Sequence, residues 1–387
     1  MDSDLPLAGI VVVELGDSAS APFGGQVLAA LGAEVWKIER PGSGDSSRGW
    51  GPSKWKGEGA PYHALNRGKR SICLDIKDPA QLSTLHALIE QHADVFLHNL
   101  RPGSAGQYAL DPDSLRARKP ELVCCEVGAF GHLGPYNTRP GYDPLMQAFA
   151  GIMSVTGEEG QAPVRAGVSI VDFGTGLWSV VGILAALFRR ARTKAGATVN
   201  GSLLETAIAW MTINLCNYAA DGDLGGRWGS GVPIIVPHRA FPASDGHIIV
   251  SAANDRLFAR LADALGHPEW GTDPRFATNA GRLANRADID RLIGEVLSQN
   301  TRAHWQAVLE SRGLPTAPVQ TAAELFHHEQ ARALGIFGKP SEDEVETVQL
   351  PLSFDGKRPP PLHSAPGIGQ DNAALQRLIP GAAVSER

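Results

Sequence analysis

"GIVVVELGDSASAPFGGQVLAALGAEVWKIE", Gly9–Glu39, decides the fold class. "GIVVVEL" is an unbroken apolar run of strand length. "FGGQVLAALG" has a short helical pattern closed by glycine, and "AEVWKIE" is a second apolar run. Strands without polar alternation are covered on both faces, which is the habit of parallel sheets flanked by helices. The alternation continues outward from this unit. A strand "SICLDI" precedes an amphipathic helix "DPAQLSTLHALIEQHA" with Leu82, Leu85, Leu88 and Ile89 on one face. The strand "DVFLHNL", the helix "DPDSLRARK" and the strand "ELVCCEVGAFG" follow. The expected class is α/β, with a parallel sheet covered by helices.

Beyond this the pattern predicts a helix near Pro144–Val155, a strand-like "VRAGVSIV" and an apolar core helix over Gly176–Phe188. That apolar stretch is shorter than the roughly 20 residues a membrane span needs. "ATVNGSLLETAIAWMTINLCNYAA" reads as a strand running into a helix. The composition then turns to glycine and proline in "DGDLGGRWGSGVPIIVPHRAFPASDG", as in a linker or mobile loop. A strand "HIIVSAA" follows, then a helix "NDRLFARLADALG" with Asn254 as N-cap and Gly266 as its stop. Two more helices, the strand "TAPVQ" and the helix "TAAELFHHEQARALG" complete a smaller α/β domain. The expected organisation is a large domain over 1–200, a linker over 201–235, a small domain over 236–335, and a segment, 336–387, returning to the large domain.

Composition excludes several function classes. The 387 residues are 43% hydrophobic and 20% charged, as in an ordinary globular protein, and the net charge of −6 disfavours nucleic acid as a partner. The four cysteines have no CxxC spacing, so neither a zinc site nor a disulfide framework is expected. Cys73, Cys124 and Cys125 read as buried small apolar residues of a protein in the reducing cytoplasm. The acidic N-terminus "MDSDLPLAG" lacks the basic character of a signal peptide.

The usual catalytic fingerprints are missing. The first strand leads into "GDSASAPFGG", not GxGxxG, and "GSGDSSRG" is not a phosphate-binding P-loop. There is no GxSxG elbow, and the neighbours in "HHE", His327–Glu329, point in different directions on a helix. Three groups remain. Lys37 and Arg40, then Arg67, Lys69 and Arg70, are cations near strand ends, where open α/β sheets bind ligands, and they suit a ligand with several phosphates. "NLRPG", Asn99–Gly103, directly follows a strand. Last, Asp172 stands at the start of a helix between Val171 and "FGTG". An aspartate there reads either as an N-cap or as a carboxylate kept ionised by the helix field beside amides able to hold an oxyanion. Gly174 and Gly176 would then let a substrate carbonyl approach. Such a carboxylate is a weak nucleophile, but a thioester is an activated acyl donor.

Five segments in register, "LAGIVVVELG…LGAEVWKIERPGSGD", "NRGKRSICLDIK", "ADVFLHNLRPG", "GYDPLMQAFAGIMSVTG" and "VDFGTGLWSVVGILAALFRR", resemble the family III CoA-transferases (the CaiB/BaiF family). The resemblance implies a Rossmann-like large domain with a smaller second one, an interlocked, ring-like homodimer, and coenzyme A or acyl-CoA as a substrate, with a carboxylate as the other. It implies no metal and no redox cofactor. The family's catalytic aspartate matches Asp172, which forms an anhydride with the donor acyl group and then a thioester with CoA. CoA-binding positions carry over to Ser18, Ala19, Arg40, Asn66, Lys69, Arg70, Asn99, Leu100, Arg101, Tyr142 and Asp143. "LGGRWGSG" is the nearest match to a glycine-rich flap found in some members.

Two other functions fit the same scaffold. An α-methylacyl-CoA racemase needs a proton acceptor on each face of the α carbon. Tyr142 stands where related racemases carry histidine, and a tyrosine of pKa about 10 is a poor base at neutral pH. A non-catalytic acyl-CoA-binding protein would have no use for Asp172. If the substrate is a small dicarboxylic acid, its distal carboxylate calls for a guanidinium, and Arg48, Arg165 and Arg239 are the candidates. The expected setting is cytoplasmic, with no membrane and no nucleic acid.

Overall fold

Six strands form one parallel sheet: β1 Val11–Leu15, β2 Glu34–Glu39, β3 Lys69–Cys73, β4 Val95–His98, β5 Val123–Gly128 and β6 Ala197–Ser202. The molecule is described by a computed structural model over residues 4–385. The strand order is β3-β2-β1-β4-β5-β6. Val12, Val13, Phe96, Leu97, Cys124 and Cys125 are fully buried, which is why these strands read as unbroken apolar runs. From β1 the chain moves one way to β2 and β3, and from β4 the other way to β5 and β6. The switch point therefore lies between β1 and β4, where open α/β sheets bind ligands at their carboxyl ends.

The helices that position the candidate site are α1 Ser20–Ala30, α2 Pro79–His92, α3 Asp143–Phe149, α4 Ile170–Thr193 and α5 Leu203–Trp210. The strand expected at "VRAGVSIV" does not form. Its Ala166 N–H donates to the Gln147 side chain instead of a strand partner, and helix α4 begins at Ile170. That helix runs 24 residues, longer than the expected Gly176–Phe188, and by length and composition alone it is apolar enough to cross a membrane. Val171, Val180 and Ile183 on its inner side are core residues.

The chain divides into two compact units. The first comprises 1–151, 166–213 and 329–387. The second comprises 152–165 and 214–328. The 201–235 stretch expected as a linker holds α5 and a further helix, Thr212–Asp221. Residues after 329 return to the first unit. Asp371 and Asn372 accept the backbone N–H groups of Ser71 and Cys73, both at 2.9 Å, so they cover the free edge of β3.

The second unit has its own core around a three-stranded antiparallel sheet of β7 His238–Ala243, β8 Gly246–Ser251 and β9 Thr316–Pro318, with β8 in the middle. β7 lies inside the stretch read as a loop. Its Pro242 is tolerated because β7 is an edge strand. Helix α6, Asp255–Ala264, is capped by the Asn254 side chain on the Leu257 N–H, and it is followed by Gly266 at φ +80°, as the sequence predicted.

Candidate active site

Three loops leave the carboxyl ends of neighbouring strands and are stitched together. Asp17 follows β1, and Asn99 follows β4. The Asn99 side chain donates to the Asp17 carbonyl at 2.7 Å and accepts the Asp17 N–H at 3.0 Å. Arg40 follows β2 and donates to Asp17 Oδ2 at 2.8 Å. Beneath them a fully buried lysine acts as a tie. Lys37 Nζ contacts Glu14 at 2.9 Å, Asp45 at 2.8 Å and the Gly16 carbonyl at 2.8 Å. Burial opposes its charge, but Glu14 and Asp45 outweigh it, so its pKa is raised. Asp45 in turn accepts from Ser47 and, at 3.4 Å, from the Ser18 N–H. This interior network anchors the loop that carries Ser18, which sits at φ +73°.

Helix α4 comes to these loops by a close crossing over α1. A Cβ on Gly176 would lie 2.7 Å from the Ser20 carbonyl oxygen, and one on Gly24 would lie 3.3 Å from that of Gly176. Gly174 is pressed against Trp210 and Thr206 of α5. The two glycines of "FGTG" are therefore consumed by helix packing. They do not open space for a substrate carbonyl, which was the expectation.

Asp172 is the third residue of α4, not its N-cap. The cap comes from another helix. Asp143, 2% exposed, accepts the N–H groups of Val171 at 2.7 Å and Asp172 at 3.2 Å through Oδ2, and Gln147 donates to its Oδ1 at 2.5 Å. The helix amides expected to stabilise charge on Asp172 are thus already occupied. Burial, and then the neighbouring Asp143, push the Asp172 carboxyl up to about 7, opposite to the expected effect of the helix field. Among the described residues no group donates a hydrogen bond to the Asp172 carboxylate. Among them, too, no side chain caps the start of α1, where the N–H groups of Ala19, Ser20 and Ala21 have no acceptor.

Asp172 lines a cavity of about 420 Å³ together with Ser18, Ala19, Ser20, Arg40, Asn99, Leu100, Arg101, Arg139 and Tyr142. A second cavity of about 780 Å³ shares Asp17, Arg40, Asn99, Leu100 and Arg101, and extends to Leu74, Asp75, Ile76 and Lys77. Seven of the eleven residues expected to hold CoA therefore line the cavity that contains Asp172.

The other four sit elsewhere. Asn66 and Lys69 are buried: Lys69 Nζ is held by Glu14, the Pro22 carbonyl and Asn66. Arg70 pairs with Glu34 at 2.9 Å. Lys69 and Arg70 begin β3, at the amino end of the sheet; the Lys69 side chain reaches Glu14, which it shares with Lys37 beneath the loops, whereas Arg70 stays at that end with Glu34. Asp143 is spent on the helix cap. Arg67 is also engaged, by Thr347 and the Val348 carbonyl.

Sequence reasoning missed Lys77 and Arg139. The signal for Lys77 was available, because "LDIK" follows the carboxyl end of the same strand whose first residues, "KR", drew attention. Among the described residues no group of three or more metal-ligating side chains occurs.

The model of CoA-transferase family III matches residues 7–372. The chain belongs to this family. It is 38% identical over 338 residues to the succinate–glutarate CoA-transferase of Agrobacterium fabrum, covering 86% of this chain and 84% of that one. It is 32% identical over 370 residues to the human succinyl-CoA:glutarate CoA-transferase, covering 94% and 84%. The crystal structure of a CaiB/BaiF family protein from Brucella suis superposes with a TM-score of 0.91 at 37% identity, over 97% of this chain and 99% of that one. This family III chain is thus a CoA-transferase with the mixed α/β fold and six-stranded parallel sheet of its relatives, and CoA thioesters and carboxylates are its substrates.

Proposed function

We propose that this enzyme moves CoA between an acyl-CoA and a small dicarboxylic acid, with Asp172 as the covalent carrier. The observation that carries the reading is the position of Asp172. Its carboxylate has no protein donor, and it faces a cavity continuous in its lining with the Arg40, Arg101 and Lys77 surface. The activities for which the Agrobacterium and human relatives are named support succinate and glutarate as the substrate class.

The Asp172 carboxylate attacks the thioester carbonyl. The C–S bond breaks, CoA leaves as the thiolate, and a mixed anhydride remains. The thiolate then attacks the aspartyl carbonyl, which releases the donor acid as its carboxylate and leaves an aspartyl-CoA thioester. The acceptor carboxylate repeats these steps in reverse. The free amides of Ala19 and Ser20 are the donors available to a developing oxyanion, in place of those of α4. Arg40, Arg101 and Lys77 are the cations available to the phosphates of CoA. Each intermediate keeps the activation of the thioester, so no nucleotide is consumed, and water must be excluded.

A homodimer belongs to the same proposal. Leu177, Trp178, Val181 and Phe188 on α4 are about half exposed or more, an apolar face that a second copy would cover. A cytoplasmic setting fits the buried thiols of Cys73, Cys124 and Cys125. The test of the reaction is succinyl-CoA mixed with glutarate in deuterated buffer. Glutaryl-CoA forming without nucleotide, and with no deuterium at the α carbon, supports it. Deuterium uptake without transfer would favour racemase chemistry.

A further inference from the structure

We propose that Arg139 is the guanidinium that grips the distal carboxylate of a dicarboxylic substrate. The inference rests on the dicarboxylate reading of the site. Two of the three arginines that the sequence offered for this task are held by carboxylates. Arg48 is buried and bonded to Glu39 and Glu58. Arg239 pairs with Asp290 at 3.0 Å.

Three arginines line the cavity around Asp172: Arg40, Arg101 and Arg139. Arg40 is bonded to Asp17, and both Arg40 and Arg101 also line the larger neighbouring cavity. Of these two cavities Arg139 lines only the one that contains Asp172, and among the described residues it has no carboxylate partner. It is also held in place. Its guanidinium carbon lies 3.7 Å from the ring centroid of Tyr136, and that ring meets Phe130 and Phe149 edge-on at 5.7 and 6.1 Å between centroids. A guanidinium stacked by its face keeps its in-plane N–H fork free for two parallel hydrogen bonds to a carboxylate. The same loop continues through Tyr142 to Asp143, the cap of the Asp172 helix. One short segment therefore ties the fork to the reacting carboxylate.

The experiment compares glutarate with pentanoate, the monoacid of equal chain length, as acceptors for the wild type, Arg139→Gln and Arg139→Lys. Calorimetry with free CoA is run on each. The proposal expects the ratio of kcat/KM for glutarate over pentanoate to fall at least tenfold in Arg139→Gln, to recover in part in Arg139→Lys, and the CoA Kd to stay within twofold. An unchanged ratio overturns it. A CoA Kd weakened in step with both acids also overturns it, because the guanidinium then serves a phosphate. If the wild type transfers CoA to neither acid, the dicarboxylate reading itself fails and this inference falls with it.

Discussion

The carboxylate of Asp143 accepts the backbone N–H of Asp172 at 3.2 Å, so one acid caps the helix that carries the other. The cap fixes the first turn of α4 and takes away the donors that would otherwise have quieted Asp172. What remains is a half-buried carboxylate with no hydrogen-bond donor beside a second negative charge, and its pKa rises to about 7. A basic, poorly solvated carboxylate is a better nucleophile than one surrounded by donors.

The pH dependence follows from that shift. Only the ionised form attacks a thioester, so kcat/KM climbs as pH rises through about 7 and then levels. The stability contribution has the opposite sign. The folded state keeps a proton that the unfolded chain releases in the ordinary carboxylate range, so this group's contribution is fully present below that range and is lost as pH rises through about 7. Asp172→Asn should lower turnover by a factor of about 10³ or more, yet raise the melting temperature at alkaline pH by about 2 °C. Steady-state rates and thermal melts over pH check both signs.

Replacing Asp143 by Asn removes the charge beside Asp172 but keeps an acceptor for the helix. The rise of kcat/KM should move to lower pH, because burial remains while the repulsion goes. Asp143→Ala also loses the cap and should cost about 1–2 kcal/mol of stability. Rate profiles and denaturant midpoints separate the two effects.

Lys77 lies in the loop after β3 and lines the larger cavity. Lys77→Ala should raise the KM for acyl-CoA by about five- to tenfold with kcat nearly unchanged, a loss of roughly 1 kcal/mol of ground-state and transition-state binding alike. Arg70→Ala, at the opposite end of the sheet, should leave both parameters near wild type.

The fold was legible because strands buried on both faces carry a signal that does not depend on partners: "GIVVVEL" and "ELVCCEVG" became β1 and β5. The place of Arg40, Asn99 and Arg101 at the cavities was legible for a related reason. They immediately follow strands, and the carboxyl end of a parallel strand is where a ligand loop must be. The place of Arg70 was not legible, because charge alone does not tell which end of a strand a residue occupies. The glycines of "FGTG" misled because glycine serves close helix crossing as well as ligand approach, and only the position of α1 decides between them. Pro242 hid β7, since a proline on an edge strand looks like a loop until the pairing is seen.

The buried network gives a stability prediction independent of the chemistry. Lys37→Met would take the buried cation from Asp45 and leave Glu14 with Lys69 alone, and it should cost about 3–5 kcal/mol, measured as a fall in denaturant midpoint.

The central claim is that Asp172 becomes acylated and then carries CoA. The direct measurement is peptide mapping by mass spectrometry after incubation with succinyl-CoA and quenching with hydroxylamine. The account predicts a hydroxamate on Asp172 that appears only with acyl-CoA present and is missing in Asp172→Asn. Steady transfer with no modification at Asp172, or with the hydroxamate on another residue, would contradict it.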